Sequence, residues 1–340
     1  MKWRHWIGVA ISVVCLWWAL RGVSWSAVRA SLATARPGYL AAAAVGAVLI
    51  GVLVRAWRWR LFFPSSHGIP NGELVRATGI GLMANNVLPA RMGEFVRAYV
   101  LGRRTRIPVT TAFGSLFVER LFDGAALALI LIGGIALSEV PAWMETLAWV
   151  AGSLFLALLV FEVLLLRFPG AFFRLLHATT ARFLPSRWEA QLEGALQRFL
   201  EGFALLRDPR RVALACVFTF VLWGSNGMLY YLGLLAFDLG RIGVDGAMIV
   251  QSVASLGVSI PSSPGFVGTF QAAVVKALSA FQVDRDLAFS YSIAFHAVQY
   301  FPVTLFGLVL LWRADLSWRE LERSEEEVEE ELAETAEPVA

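Results

Sequence analysis

The sequence predicts an all-α integral membrane protein, a helical bundle of six full crossings plus two re-entrant helical hairpins in an inverted repeat. Hydrophobic residues fill 58% of the 340 positions and charged residues only 16%, which leaves no sizeable soluble domain. Long apolar segments alternate with short loops that carry arginine. Two further apolar segments are each interrupted by proline, and paired interrupted segments in matching halves are typical of transporters.

The first segment, residues 1–21, begins with basic residues and carries tryptophans at both ends of an apolar run. Tryptophan concentrates at membrane interfaces, so the pattern favours a retained membrane helix over a cleaved signal peptide. The small-residue stretch 33–35 keeps cleavage open as an alternative. Five further apolar segments predict the other crossings, at residues 39–62, 109–138, 145–166, 211–237 and 287–312.

An interrupted segment follows the second crossing. Its first apolar run reaches Asn85 and Asn86, breaks at Pro89, and resumes near Gly93. Proline ends a helix, and the free N–H groups of the next helix point at the break. Each arm is too short for about 30 Å of hydrocarbon. We therefore predict a re-entrant hairpin over residues 74–102.

The second half of the chain repeats this plan. Pro261 and Gly265 have the spacing of Pro89 and Gly93, and residues 246–281 predict a second hairpin. The first repeat covers about residues 39–138 and the second about 211–312. An odd number of crossings separates corresponding points of the two copies, so the second copy is predicted to run in the opposite sense.

Residues 1–319 are predicted to form a single membrane domain, followed by an acidic tail, 320–340, with no chemical role. Within the domain, residues 167–211 interleave arginine with phenylalanine. This composition predicts an amphipathic cytoplasmic segment on an anionic leaflet, although an ordinary cytoplasmic loop fits equally well.

The short loops on one side of the predicted membrane carry far more arginine and lysine than those on the other side. This asymmetry predicts that both termini are cytoplasmic. Arg55, Arg58 and Arg60 alternate with tryptophan at the end of the second crossing, and we interpret that end as an interface anchor.

Charged residues within apolar segments are costly and mark candidate sites. Arg91 and Glu94 lie at the mouth of the first broken helix, where an arginine and a helix N-terminus together would bind phosphate. Glu119 and Asp123 lie four residues apart on one face of the next helix. A buried ion network that only fixes helix packing is the alternative for Glu119, Arg120 and Asp123.

On the second hairpin, Ser262 and Ser263 could cap a helix that restarts at Pro264, and Gly265 and Gly268 would let a headgroup approach the backbone. The alternative is a cap and packing glycines alone. The predicted substrate-binding residues are Asn85, Asn86, Arg91, Glu94, Arg97, Glu119, Arg120, Asp123, Ser262, Ser263, Gly265 and Gly268.

Asp123 and His296 are candidates for proton coupling, because histidine can titrate near neutral pH. A lone membrane histidine can instead simply bond a neighbouring carbonyl. The four histidines are too scattered to suggest a zinc site, and no nucleotide-binding loop or catalytic triad pattern is present. We expect no catalytic residue, no metal, no cofactor and no nucleic-acid partner.

These polar positions form a recognisable pattern. It runs Asn86-x-x-Pro89-x-Arg91-x-Gly93-Glu94-x-x-Arg97, then Glu119-Arg120-x-x-Asp123, then Pro261-x-x-Pro264-Gly265-x-x-Gly268. The pattern resembles the flippase-like membrane domain of the lysylphosphatidylglycerol synthase family, over about residues 5–315. That group includes the membrane half of bacterial multiple-peptide-resistance proteins and stand-alone proteins linked to lipid-carried sugars. Unlike the family's synthases, this chain ends in the acidic tail, so the synthase name does not transfer.

The resemblance implies a lipid transporter, a flippase or scramblase, that moves a phosphate-bearing headgroup between leaflets by alternating access. The expected ligand is a membrane phospholipid or a polyprenyl phosphate lipid, and the expected location is the cell (inner or plasma) membrane of a bacterium. We expect no enzymatic activity. The alternatives are a membrane transferase acting on a lipid phosphate, with Glu94 or Asp123 as general base, and a non-catalytic subunit of a lipid-modifying complex. The sequence leaves a homodimer open.

Overall fold

The computed structural model of this chain describes residues 2–63, 68–88, 92–138, 140–170, 172, 194, 196–259, 263–314 and 316–324. Most of these residues are helical, and no strand occurs among them. Three predictions lie partly or wholly outside the described residues: the breaks at Pro89 and Pro261, about half of the amphipathic segment 167–211, and all of the acidic tail 320–340 except residues 320–324.

Five helices are long and apolar enough to cross a membrane, and their bounds confirm five of the predicted segments. They are α3 (Pro37–Arg60), α6 (Val109–Leu137), α7 (Ala142–Arg167), α8 (Pro209–Ala236) and α11 (Arg285–Trp312). Local signals set their starts. Proline occupies the first helical turn of α3 and α8, where its missing N–H costs no bond. Asp208 and Asp284 accept backbone N–H groups at the starts of α8 and α11.

The N-terminal segment forms α1 (Lys2–Leu20) and then α2 (Trp25–Thr34), which the sequence did not predict. The axis bends by 84° between Ala10–Leu20 and Trp25–Thr34. The two helices are long and apolar enough to cross a membrane only as a pair, so the described residues contain five candidate spans, or six if this bent pair counts as one. The prediction of exactly six crossings is therefore not confirmed.

Each interrupted segment forms two short helices that pack against each other. The first hairpin consists of α4 (Asn71–Val87) and α5 (Gly93–Arg104), and the second of α9 (Gly243–Gly257) and α10 (Thr269–Ser279). A last short helix, α12, spans Trp318–Glu322. The arms of both predicted hairpins are therefore present as helix pairs.

Several helix contacts occur in matching pairs, one in each half of the chain. The first hairpin packs on α11 through α4, and the second packs on α6 through α9. In the same way α3 contacts α11 while α8 contacts α6, and α3 and α8 contact each other. Exchanging α3–α6 with α8–α11 therefore reproduces these contacts.

Hydrogen bonds assign the helix ends to two faces of the bundle. At the Arg60 face, where α3 ends and α4 begins, Arg60 bonds Asn71 at 2.6 Å and Arg211 bonds the carbonyl of Phe63 at 2.9 Å. At the Arg285 face, where α10 ends and α11 begins, Arg285 bonds the carbonyl of Trp18. The short turn Pro264–Phe266 of the second hairpin packs against α4 of the first, so the two hairpins are in contact.

Candidate functional site

Six charged side chains form the arginine–carboxylate cluster inside the bundle. Arg55 and Arg58 come from α3, Arg97 from α5, and Glu119, Arg120 and Asp123 from α6. The four-residue spacing of the two carboxylates places both on one face of α6, which the structure confirms by their shared arginine partners. Every guanidinium in the cluster lies within 4 Å of at least one of these carboxylates.

Glu119 is the point where the four arginines converge. One of its oxygens, Oε1, lies 2.8 Å from Arg97, 2.7 Å from Arg120, 3.2 Å from Arg58 and 3.5 Å from Arg55. Its side chain is fully buried. Helices α3, α5 and α6 are therefore held together through a single carboxylate.

Asp123, one turn further along α6, binds arginines of α3 and α6 but not Arg97 of α5. It lies 3.2 Å from Arg55 and 2.9 Å from Arg120, and it also accepts from Arg58. Trp223 of α8 donates its indole N–H to Asp123 at 2.8 Å. Asp123 thus extends the cluster to α8.

Arg97 is held in place by an aromatic ring as well as by charge. Its guanidinium carbon lies 3.9 Å from the ring centroid of Trp59, a distance at which a cation–π interaction is favourable. Trp59 is fully buried and donates to Ser115 at 2.9 Å. The ring is therefore fixed between α3 and α6, and it fixes Arg97 in turn.

The cluster has more positive than negative charge and more donors than acceptors. Four guanidinium groups face two carboxylates, and Glu94 adds a third carboxylate nearby without an ion pair to any described residue. Several buried guanidinium N–H groups, on Arg55, Arg97 and Arg120 among others, find no hydrogen-bond partner among the described residues. Buried donors normally have a partner, so these groups are available to an acceptor such as water or an anion.

A cavity of about 240 Å³ adjoins the cluster and receives residues from both hairpins. Arg55 and Arg120 form its charged wall, and Arg120 is the most exposed member of the cluster, with 36% of its side chain accessible. The remaining polar residues that line this central cavity are Asn85, Asn86, Glu94, Asn226, Tyr230, His296, Gln299 and Tyr300.

The two asparagines at the end of α4 connect it to different helices. Asn85 accepts the backbone N–H of Gly93 at 2.9 Å, which ties the end of α4 to the start of α5. Asn86 donates to Thr304 of α11 at 2.8 Å, and its carbonyl accepts from Tyr300 at 3.3 Å. Both residues therefore connect structure in addition to lining the cavity.

The second hairpin restarts later than the sequence suggested. Helix α10 begins at Thr269, after a short turn at Pro264–Phe266. The hydroxyl of Ser263 donates to the carbonyl of Val267 at 3.2 Å and caps no helix. Ser12 of α1 accepts the backbone N–H of Ser263 at 2.7 Å. The backbone of Ser263 therefore connects this break to α1.

The two glycines of this break have left-handed φ values, +67° for Gly265 and +93° for Gly268, which favour glycine. A side chain at Gly265 would lie 2.6 Å from Tyr300 and 3.1 Å from the carbonyl of Asn86. Gly268 packs against Ser12 and Leu16 of α1. Gly265 thus permits the contact between the two hairpin breaks, and Gly268 permits contact with α1.

His296 forms a hydrogen bond with Gln271, a partner that was not predicted from the sequence. Gln271 accepts the backbone N–H of Gly268 at 2.7 Å with its carbonyl oxygen, so its amide nitrogen faces the His296 Nδ1 atom at 2.9 Å. An amide nitrogen only donates, so Nδ1 is the acceptor and the imidazole carries its proton on Nε2. The ring also stacks on Phe270, with centroids 4.7 Å apart.

The predicted site residues therefore divide into three groups. Arg91 and Ser262 lie outside the described residues. Five residues line the central cavity, namely Asn85, Asn86, Glu94, Arg120 and His296. The others lie behind its wall or beside it, with Arg97, Glu119 and Asp123 in the cluster, Gly265 at the meeting of the breaks, and Ser263 and Gly268 against α1.

Sequence reasoning missed two central members of the cluster. Arg55 and Arg58 were interpreted as interface anchors, but Arg58 is fully buried and Arg55 lines the cavity. Only Arg60, which bonds Ile69 and Asn71 at the Arg60 face, lies near such an end. The signal available was the three-residue spacing of Arg55 and Arg58, which puts both on one helix face. Asn226 and Tyr230 of α8 were also missed.

Comparison with known proteins finds archaeal relatives of low sequence identity. The resemblance in the sequence analysis had suggested a bacterial protein. UPF0104 membrane protein MJ1078 of Methanocaldococcus jannaschii is 24% identical over 68% of this chain and 94% of its own length. UPF0104 membrane protein PH1989 of Pyrococcus horikoshii is 23% identical over 90% of this chain and 94% of its own. No solved structure matches the chain.

A third relative is named for an enzyme. Glycosyltransferase AglD of Haloferax volcanii is 27% identical over 88% of this chain, which spans about half (52%) of its length. The expectation that no enzymatic activity is associated with this chain is contradicted by that relative, and we withdraw it.

The family model described as "Lysylphosphatidylglycerol synthase TM region" matches residues 5–307. This match covers most of the chain, includes every described residue of the cluster and the central cavity, and agrees with the resemblance seen in the polar motifs. The chain is a multi-span membrane protein that belongs to the lysylphosphatidylglycerol synthase TM region family.

Proposed function

We propose that this protein moves the phosphate-bearing headgroup of a lipid, either a phospholipid or a polyprenyl phosphate lipid, between the leaflets of a membrane. The observation that carries the proposal is the central cavity at the meeting of the two hairpins, with Arg55 and Arg120 in its wall. The lipid tails would stay in the bilayer while the headgroup passes through this cavity.

The chemistry of the cavity wall fits a phosphate. Arginine forms paired, charge-assisted hydrogen bonds with phosphate oxygens. The buried guanidinium N–H groups without partners among the described residues supply donors, and the excess of guanidinium groups over carboxylates supplies charge. A neutral sugar or an alkyl chain would use neither property. Arg91 remains part of the proposal as a residue at the same break.

Packing supports the re-entrant and inverted arrangement that alternating access requires. Helices α5 and α10 contain 12 and 11 residues, or about 16–18 Å at 1.5 Å per residue, too short for about 30 Å of hydrocarbon. The first hairpin begins and ends near the Arg60 face, where Arg104 bonds Glu73 at 2.7 Å. The second would enter from the Arg285 face. Opening toward either face in turn would expose the central cavity alternately.

We place the Arg60 face in the cytoplasm of a cell whose inner or plasma membrane holds the protein. The arginines of the loops concentrate at this face, as the positive-inside rule describes. Both termini would then be cytoplasmic.

The test is headgroup movement in proteoliposomes. Fluorescent phospholipids and a fluorescent polyprenyl phosphate would be offered in separate vesicles, and a membrane-impermeant quencher would report which leaflet holds the label. Arg120→Gln should lower the rate at least tenfold, because it removes the most accessible cavity guanidinium. Arg29→Gln, on an exposed part of α2, is the matched control and should leave the rate unchanged. Equal rates for the wild type, Arg120→Gln and empty vesicles would refute the proposal.

A second candidate is a membrane transferase that acts on a lipid phosphate, and the name of the relative AglD favours it. Within the cavity, Glu94 is better suited than Asp123 to act as a general base. Asp123 is bound by three arginines and by Trp223, whereas Glu94 lies on the cavity wall without an ion pair to any described residue. A new lipid product found by mass spectrometry, and lost in Glu94→Gln, would establish this activity.

A further inference from the structure

A second cationic pocket lies at the Arg285 face, far along the chain from the residues of the cluster. It has a volume of about 200 Å³ and is lined by Trp18 of α1, Lys276 and Ser279 of α10, and Arg285 at the start of α11. Two cations therefore share one small cavity at a helix junction.

Arg285 is held in place by Trp18, and it forms no ion pair with any residue that the structure describes. Its guanidinium donates to the backbone carbonyl of Trp18 and lies 4.8 Å from the centroid of that indole ring. Its Nε atom is buried and has no hydrogen-bond partner among the described residues. The Arg285 guanidinium is therefore held in a fixed orientation, and its Nε–H has no hydrogen-bond partner among the described residues.

The carboxylates next to Arg285 are engaged elsewhere. Asp284 accepts the backbone N–H groups of Asp286 and Leu287 at 2.9 and 3.3 Å. Asp286 accepts the backbone N–H of Ser24 at 2.9 Å. Among the described residues, neither carboxylate forms an ion pair with Arg285. Both carboxylates therefore bond backbone N–H groups at the starts of helices.

Lys276 is the second cation, in the last turn of α10. Its ammonium lies 4.9 Å from the ring centroid of Trp143 on α7, and it makes no hydrogen bond or ion pair within the described part of the chain. Lysine between tryptophans at a helix end is typical of the membrane interface, where ammonium groups meet lipid phosphates.

We propose that this pocket binds the phosphate of an anionic phospholipid in the leaflet at the Arg285 face. The two cations would bind the phosphate oxygens, and Trp18 and Trp143 would lie beside the glycerol region. The Ser279 hydroxyl lines the pocket but donates to the carbonyl of Lys276 at 2.7 Å. A soluble anion would use the cations but not the aromatic rings at the interface. The inference is independent of the proposed transport, since the pocket shares no residue with the central cavity.

The experiment is native mass spectrometry of the full chain in detergent, titrated with phosphatidylglycerol or phosphatidylcholine. Each cation is expected to contribute about fivefold to the phosphatidylglycerol affinity, the equivalent of about 1 kcal/mol per basic residue near a membrane surface. Lys276→Gln should therefore weaken binding about fivefold, and the double variant Lys276→Gln, Arg285→Gln more strongly. Lys276→Gln carries the main test, because Lys276 makes no hydrogen bond that the fold needs.

Two control variants separate this pocket from other sites. Arg241→Gln changes an exposed arginine at the same face outside the pocket and should leave binding unchanged. Arg120→Gln should abolish headgroup movement and leave this binding intact, so the two proposals fail separately. Unchanged phosphatidylglycerol binding in Lys276→Gln, equal binding of phosphatidylcholine, or equal competition by free glycerol phosphate would each overturn the proposal.

Discussion

Arg97 donates to Glu119 at 2.8 Å while its guanidinium carbon lies 3.9 Å from the ring centroid of Trp59. This contact joins α5 of the first hairpin to α6 and to α3, and both charged side chains are buried. Burying an ion pair is costly, and removing one partner is more costly still, because it leaves a charge without compensation. The cluster is therefore a structural element as well as a source of charge for the central cavity.

Glu119→Gln should unfold the protein more easily. The substitution removes the negative charge on which four arginines converge, and we expect the free energy of unfolding to fall by about 3–5 kcal/mol. Denaturant unfolding in detergent would measure it. Glu145→Gln, at an exposed position of α7, is the control. A loss below about 1 kcal/mol, the usual value for a surface ion pair, would show that the cluster is not required for packing.

Gly265→Ala should destabilise the meeting of the two hairpin breaks. Its φ of +67° is unfavourable for any other residue, and the added carbon would lie 2.6 Å from Tyr300. We expect a loss of about 1–2 kcal/mol from the backbone alone, with slower headgroup movement. Gly133→Ala is the matched control, since nothing lies within 4 Å of the added carbon, and alanine there should be neutral or stabilising. Equal effects of the two substitutions would argue against a special role for Gly265.

Glu162→Leu should stabilise the fold. Glu162 of α7 is 1% exposed, and neither of its carboxyl oxygens has a hydrogen-bond partner among the described residues. A buried polar group without a partner costs about 1–3 kcal/mol in proteins, so leucine should recover part of that. Thermal unfolding in detergent would measure the gain. If Glu162→Leu is less stable than the wild type, the carboxyl group has a partner in the membrane.

Headgroup movement should change little between about pH 6 and pH 8, the range in which an ordinary histidine titrates. Protonation of His296 at Nδ1 would require loss of the hydrogen bond from Gln271. Transport assays across this range, in the wild type and in His296→Gln, would measure the effect. A pH-dependent rate that disappears in His296→Gln would instead support the proton-coupling role considered for this residue.

Local features of the sequence were sufficient to predict the five long membrane-spanning helices and the arms of the hairpins. Segment 109–138 corresponds to α6 and segment 287–312 to α11, because a run of apolar residues long enough for a bilayer forms a helix whatever its neighbours are. The arms of both hairpins were predictable for a similar reason, since proline breaks a helix through its own backbone. Helix α2 was missed, because its short, mixed sequence has no length or proline signal.

The sequence by itself determined that this is a multi-span helical protein, which segments are apolar, and that charged residues occur inside them. Only the tertiary structure decided which charges meet. Arg58 and Asp123 are 65 positions apart, and Arg58 and Thr219 are 161 apart, so their contacts depend on how α3, α6 and α8 pack. The same is true of Gln271 and His296. Apolar length is a property of one segment, whereas an ion pair or a cavity is a property of several segments brought together.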